Sequence, residues 1–312
     1  MRTQSANHEN AKGVFNSFYC QVSIMPKELT EQQKIERSII TKFRKGIWSR
    51  FLEAVKAYNL IEEGDRIAVC VSGGKDSMLL AKCIQELHRH SDIPFEAEYI
   101  SMDPGYSPTN ARLIAENLQR LGIPARIYRS DIFDVNDLIG GEHPCYLCAR
   151  MRRGFLYDRA KQLGCNKIAL GHHKSDVIET TLMSMLFGGQ IQGMMPKLRS
   201  ANFEGMQLIR PLYCVLEDDI VHWQQYNDLT FIACACKLTA GLAVGQQGQS
   251  ARQDVKKLIK DFRTRNPDVD ASIFKALHNV QLDTLPAFKY RGVTYDFNKK
   301  FANPVRITLS ED

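Results

Sequence analysis

The chain has 312 residues, 44% of them apolar and 24% charged, enough to bury a sizeable core in one large domain or about two ordinary ones. Lys and Arg number 41 against 35 Asp and Glu, so the net charge is +6, an excess that permits a nucleic-acid partner without demanding one. No run approaches the ~18 consecutive apolar residues of a spanning helix, and the opening MRTQSANHENAKGVF lacks the apolar stretch of a secretory signal, so the expectation is a cytoplasmic protein with no membrane anchor.

Residues 1–31 show no clear periodicity and read as a disordered tail, with Met25 a second candidate start. Over 32–61, Ile35, Ile39, Phe43, Ile47, Phe51 and Val55 recur at helical spacing and predict one amphipathic helix. Its other face carries Lys42, Lys45 and Lys56, either a solvated surface or one that meets RNA. Five short apolar runs follow: RIAVCVS (66–72), EAEYISM (96–102), ARIYRS (125–130), KIALG (167–171) and QLIRPL (207–212). Helical patterns at 78–87, 110–121, 149–163 and 176–187 separate them. This βαβ rhythm predicts an α/β domain over 62–215 with a doubly wound, parallel, five-stranded sheet and ligands at the carboxyl ends of its strands. Residues 216–312 read as mainly helical.

Two features carry chemistry. Directly after the first run, Ser72-Gly73-Gly74-Lys75-Asp76-Ser77 opens a helix. A glycine turn at that place lets backbone N–H groups converge on an anion at the helix N-terminus, with two hydroxyls and an ammonium beside them. The spacing is not the GxxxxGK[ST] of the Walker loop. The second feature is cysteine. Nine in number, without a signal sequence, they argue against a disulfide framework. Cys70, Cys83 and Cys165 lie in apolar runs and read as small core residues. Cys145 with Cys148, placed in a loop before the 149–163 helix, and Cys234 with Cys236 form tight pairs that ask for a metal or thiol chemistry. Four thiolates close a tetrahedral zinc site, whereas three leave one iron of a [4Fe–4S] cluster without a protein ligand.

The SGGKDS loop after a strand resembles that of the PP-loop ATP pyrophosphatases, which cleave ATP to AMP and pyrophosphate. Gly171-His172-His173, followed by Asp176 and Glu179-Thr180, resembles the second nucleotide-side motif of their tRNA-modifying members. The stretch from Pro144 to Gly189, with GMMPKL (193–198) and IRPL (209–212), is similar to the tRNA 2-thiocytidine synthetase family, and the likeness runs from about residue 36 to 297. Two departures are Ser175, where that family usually has a second Asp, and the CAC at 234–236, where some members have CxxC.

The resemblance implies ATP with Mg²⁺ bound by Ser72, Gly73, Gly74, Lys75, Asp76, Ser77, Met102, Gly171 and His172. It implies a [4Fe–4S] cluster on Cys145, Cys148 and Cys234, the last preferred over Cys236. Lys75 and Asp176 are assigned catalytic roles beside the nucleotide and target base. Arg152, four positions after the second cysteine, takes the basic catalytic role, and with Arg150, Arg153 and Arg159 it is expected to meet phosphate. The implied reaction adenylates the C2 oxygen of a tRNA cytidine and replaces AMP by sulfur drawn from a persulfide or sulfide donor by way of the cluster. A homodimer is the expected assembly. Two rivals are a cluster-free, AMP-forming ligase of the lysidine synthetase kind with structural zinc, and a non-enzymatic nucleotide- and cluster-binding redox sensor.

Overall fold

The computed structural model describes residues 28–130, 144–232 and 251–302. The chain enters through a capping box: the Thr30 hydroxyl accepts from Gln33 N at 3.3 Å, and the Gln33 side chain accepts from Thr30 N at 3.0 Å. This starts α1 (Glu31–Ile40). The single helix expected over 32–61 is broken, because a π-helical turn (Arg44–Trp48) stands between α1 and α2 (Ser49–Ala57). Thr41 Oγ1 donates back to the Arg37 carbonyl at 2.7 Å and competes with the helix ladder there. The turn also brings Gly46 against Asp219, where a Cβ would lie 2.4 Å from Oδ1. Ile47 and Trp48 are buried by it.

Next come β1 (Arg66–Cys70), α3 (Lys75–His90), β2 (Glu96–Asp103), α4 (Pro108–Arg120), β3 (Arg126–Arg129), α5 (Pro144–Gln162), β4 (Lys167–Ala169), α6 (Lys174–Leu186), β5 (Lys197–Arg199) and β6 (Gln207–Ile209). They form one sheet in the order β3-β2-β1-β4-β6-β5. The five expected strands are all present and mutually parallel. The sheet has a sixth member, however: β5 pairs antiparallel with β6 and closes that edge, Lys197 opposite Ile209. Three residues, two of them exposed and two of them cations, carry no period-2 signal, so the sequence pattern does not reveal this strand.

Alternation along the strands divides the interior in two. Ile67, Val69, Ala169 and Ile209 face a large core with α1–α4. Ala68, Cys70, Ile100, Ile168 and Leu208 face a smaller one that α5 covers with Tyr157 and Ala160. Cys70, Cys83 and Cys165 are buried in these cores, as their apolar runs suggested. Beyond the sheet lie α7 (Glu217–Tyr226), α8 (Ala251–Arg263) and α9 (Val269–Ala276), then a hairpin, β7 (Phe288–Tyr290) with β8 (Val293–Tyr295), and α10 (Phe297–Ala302). The C-terminal part is thus not purely helical. Val255 and Ile259 of α8 pack on Ile178 of α6, which seats α8 over the carboxyl end of the sheet. Among the described residues no helix is long and apolar enough to cross a membrane.

Candidate active site

The SGGKDS segment does what its composition demands. Gly73 has φ +88°, and a Cβ there would lie 2.6 Å from Ile114, so conformation and space both require glycine. Ser77 Oγ donates to the Gly74 carbonyl at 2.9 Å and accepts from Ser72 N at 3.1 Å, which folds the loop over the first turn of α3. That turn offers helix N–H groups without intrahelical partners. On the next strand, Gly171 follows β4 so closely that a Cβ would stand 3.0 Å from Asp76 C and Ser77 N. The SGGKDS and GHH motifs, with Gly171 lying 95 positions beyond Asp76, are therefore in contact.

His173 joins them. It caps α6, its Nδ1 accepting from Asp176 N at 3.3 Å while Asp176 Oδ2 accepts from His173 N at 3.1 Å. An accepting Nδ1 leaves the proton on Nε2, which lies 3.7 Å from Asp76 Oδ1 and 3.6 Å from Asp176 Oδ2. Asp176 is a cap carboxylate and a half-buried site residue at once. Asp76 Oδ1 is buried without a hydrogen bond. Burial, aided by the nearby Asp176, holds the Asp76 carboxyl above its ordinary range against the pull of His173 and Lys75. Asp76 and Asp176 suit a Mg²⁺ that takes one or two carboxylates and completes its shell with phosphate oxygens and water. Among the described residues no larger His, Cys, Asp and Glu group is arranged to hold a metal.

Lys75 lies 3.2 Å from Asp76 Oδ1 and 2.9 Å from Glu217 Oε1. Burial opposes its charge, but the two carboxylates outweigh that and raise its pKa. The other Glu217 oxygen takes Lys256 of α8 at 2.9 Å. Burial pushes Glu217 up, yet these two ammonium groups hold it at about 2. From the same helix Arg252 reaches Asp176 at 3.4 Å and Glu179 at 3.5 Å. Burial raises the Glu179 carboxyl all the same. Glu217, Arg252 and Lys256 were not foreseen, since single charges far along the chain form no local pattern. Ser175, the departure from the family's usual Asp, accepts from Glu217 N at 3.1 Å and so fixes the start of α7.

The remaining expected residues divide. Met102, at the end of β2, is buried against Met151, Phe155 and Leu156 of α5, a packing residue between the nucleotide strands and the cysteine helix. Cys145 and Cys148 do not lie in a loop: α5 begins at Pro144, so they sit three positions apart on its opening turns, which places them on one helix face. Pro supplies the start that the sequence pattern set at 149. Arg150, Arg152 and Arg153 consequently occupy the second and third turns rather than the N-terminus. Arg159 stacks over Tyr128 and Phe155, 5.4 and 5.2 Å from their ring centroids, and donates to Gln162 Oε1 at 2.8 Å. His172 is half-buried beside the loop. Cys234 and Cys236 lie outside the described residues.

With this geometry in view, known proteins are informative. A PP-loop domain family matches residues 45–236. A tRNA-cytidine(32) 2-sulfurtransferase of Aliivibrio salmonicida is 37% identical over 274 residues, 86% of this chain and 84% of its own. That of Vibrio vulnificus strain YJ016 is 33% identical, covering 87% of each. Among solved structures, the U34-tRNA thiolase NcsA of Methanococcus maripaludis, described with its [4Fe-4S] cluster, superposes with a TM-score of 0.57 at 19% identity, over 77% of this chain and 80% of its own. That last likeness is one of fold.

Proposed function

Because the chain belongs to the tRNA-cytidine 2-sulfurtransferase family of PP-loop proteins, we propose that it thiolates C2 of a tRNA cytidine at the expense of ATP. The observation that carries this reading is the contact between the SGGKDS turn and Gly171 at the end of β4, with α5, the helix that carries the cysteine pair, packed through Met151, Phe155 and Leu156 on Met102 of β2, the neighbour of β1. ATP then lies with its phosphates on the first turn of α3, where Ser72, Ser77 and the helix N–H groups receive them. Asp76 and Asp176 would hold Mg²⁺, which would neutralise phosphate charge, and Lys75, held by Glu217, would add its charge beside the phosphates. The cytidine C2 oxygen attacks the α-phosphorus, an O–P bond forms, the α–β anhydride breaks and pyrophosphate leaves. Hydrosulfide from a sulfide donor attacks C2: a C–S bond forms, the C2–O bond breaks, AMP departs with the former C2 oxygen and the sulfur's proton passes to water. Arg152 stands beside the target base to stabilise charge there. Cys145, Cys148 and Cys234 fit a [4Fe–4S] cluster by donor chemistry, three thiolates with two on one helix face; when bound, it supplies an iron position open to sulfur. A base reaches such a pocket only by leaving its stack, which a loop nucleotide does at least expense of energy.

The test is direct. Tandem mass analysis of nucleosides from tRNA of a strain lacking this protein should show 2-thiocytidine gone; its persistence ends the proposal. In the purified protein, Ser72→Ala, Lys75→Ala and Asp76→Ala should each abolish pyrophosphate release with tRNA, ATP and sulfide while leaving the visible thiolate–iron absorbance intact.

A further inference from the structure

Arg210 is the residue just beyond β6, and only 7% of it is exposed. Its backbone N donates to the Pro196 carbonyl at 3.0 Å and its Nη1 to the Met195 carbonyl, while its Nε is buried with no partner. Among the described residues no carboxylate forms an ion pair with it. The charged group that acts on it most strongly is another cation: burial first, and then Arg153 of α5, push the Arg210 guanidinium down to about 10. Just beyond the end of the neighbouring strand β4 stands His172, whose Nδ1 is also buried and unbonded and which feels the Arg210 charge. Burial and then Arg210 lower that imidazole to about 4, so it stays neutral at physiological pH. The one carboxylate that favours Arg210's charge, Asp176, acts less strongly than burial and Arg153.

Such an arrangement is unfavourable for folding. A buried guanidinium beside a second one loses hydration and gains repulsion, and an apolar side chain of similar length would pack there at no such cost. An orphaned buried N–H adds to the deficit. An anion removes all three penalties together, and a guanidinium fork matches phosphate oxygens in particular. The position is suited to one. β4 and β6 are parallel neighbours, so His172 and Arg210 both follow strand ends at the carboxyl edge of the sheet, with β4 next to β1 and its SGGKDS turn. From there Arg153 continues to a cavity of about 580 Å³ lined also by Arg199, Ser200, Asn202 and Phe203. Cation, hydroxyl, amide and ring form the kind of lining that follows a nucleic-acid strand.

We propose that Arg210, Arg153 and His172 form a phosphate-binding site, separate from the SGGKDS turn, that takes a phosphodiester of the RNA next to the base being modified. The proposal rests on the thiolation reading for the identity of its RNA. The same chemistry is present in the α-phosphate of the nucleotide, and two binding measurements tell the sources apart. Bulk tRNA is titrated by fluorescence anisotropy over a range of KCl, and a non-hydrolysable ATP analogue by calorimetry without tRNA. The proteins are the wild type, Arg210→Met and Arg153→Gln; the last is exposed and its substitution spares the core. For an RNA phosphate, tRNA affinity falls about tenfold in each variant and the slope of log K against log salt drops by about one, while the analogue binds as before. Loss of analogue affinity with tRNA binding retained overturns the RNA assignment in favour of the nucleotide. Unchanged affinity for both, with a lower melting temperature in Arg210→Met, overturns the site and makes Arg210 structural. Neither measurement requires turnover, so a protein that fails to thiolate tRNA but shows the tRNA loss refutes the function above and leaves this site standing.

Discussion

Gly171 shows how much of a site resides in one missing methyl group. It is the point where β4 touches the start of α3, and its would-be Cβ meets backbone atoms, at 3.0 to 3.1 Å, that cannot rotate away. Gly171→Ala must therefore push the Asp76–Ser77 peptide off its position. The expected result is an overpacking loss of about 1–3 kcal/mol, read from thermal melting, together with a KM for ATP raised more than the cluster absorbance is changed. A variant that binds ATP normally would show that the two motifs do not cooperate. The same contact explains what was legible at this scale. Ser72 to Ser77, Gly171 and Asp176 belong to short motifs whose residue types state their use. Glu217, Arg252 and Lys256 are single charges, and only the fold brings them to Lys75, Asp176 and Glu179.

At the scale of elements, the five parallel strands were readable because each is a short apolar run between helical periods. What escaped is informative physically. The π-helical turn keeps the apolar spacing of a helix while adding one residue per turn, so the pattern over 32–61 runs on through it. The edge strand β5 is too short and too exposed to show alternation. For α5, the sequence pattern begins at 149, whereas the helix begins at Pro144, because the apolar face of its first turns is replaced by cysteine. That shift strengthens the ligand reading, since positions 145 and 148 fall one turn apart on the same face. Cys145→Ala, Cys148→Ala and Cys234→Ala are each expected to lose iron and thiolation, and Cys236→Ala to keep most of both, by metal analysis and nucleoside mass spectrometry. If Cys236→Ala is as damaging as the others, a four-thiolate site replaces the three-cysteine one.

Among the described residues of the molecule, carboxylates shift in both directions on folding, and acid titration should separate Glu36 from Asp76 and Glu179. Glu36 of α1 belongs to the scaffold. It accepts from Lys82, which is fully buried on α3, at 2.5 Å, from Arg89 at 2.8 Å and from Gln32 at 3.1 Å. Burial raises its pKa, but these donors outweigh burial and hold it at about 2 against an ordinary 4.5. A carboxyl lowered on folding contributes stability above its unfolded pKa, and that contribution is lost as pH falls from about 4.5 toward 2. Asp76 and Glu179 belong to the site, and burial raises both. Their sign is opposite: the folded state prefers them protonated, so at pH 7 their charges weaken the fold, and the penalty shrinks as pH drops through their folded pKa values. Glu36→Gln leaves the buried Lys82 ammonium bonded to neutral oxygens alone, those of the new amide, Gln85 and Leu121, the last two at 2.7 Å, and should cost about 3 kcal/mol at pH 7. It should also flatten the acid limb of the stability curve. Asp76→Asn and Glu179→Gln should do the reverse, raising the melting temperature at pH 7 while Asp76→Asn abolishes ATP turnover. Denaturant melts between pH 3 and 8 measure all three. A destabilised Asp76→Asn at pH 7 would mean that its charge serves the scaffold, and Mg²⁺ would then need another ligand.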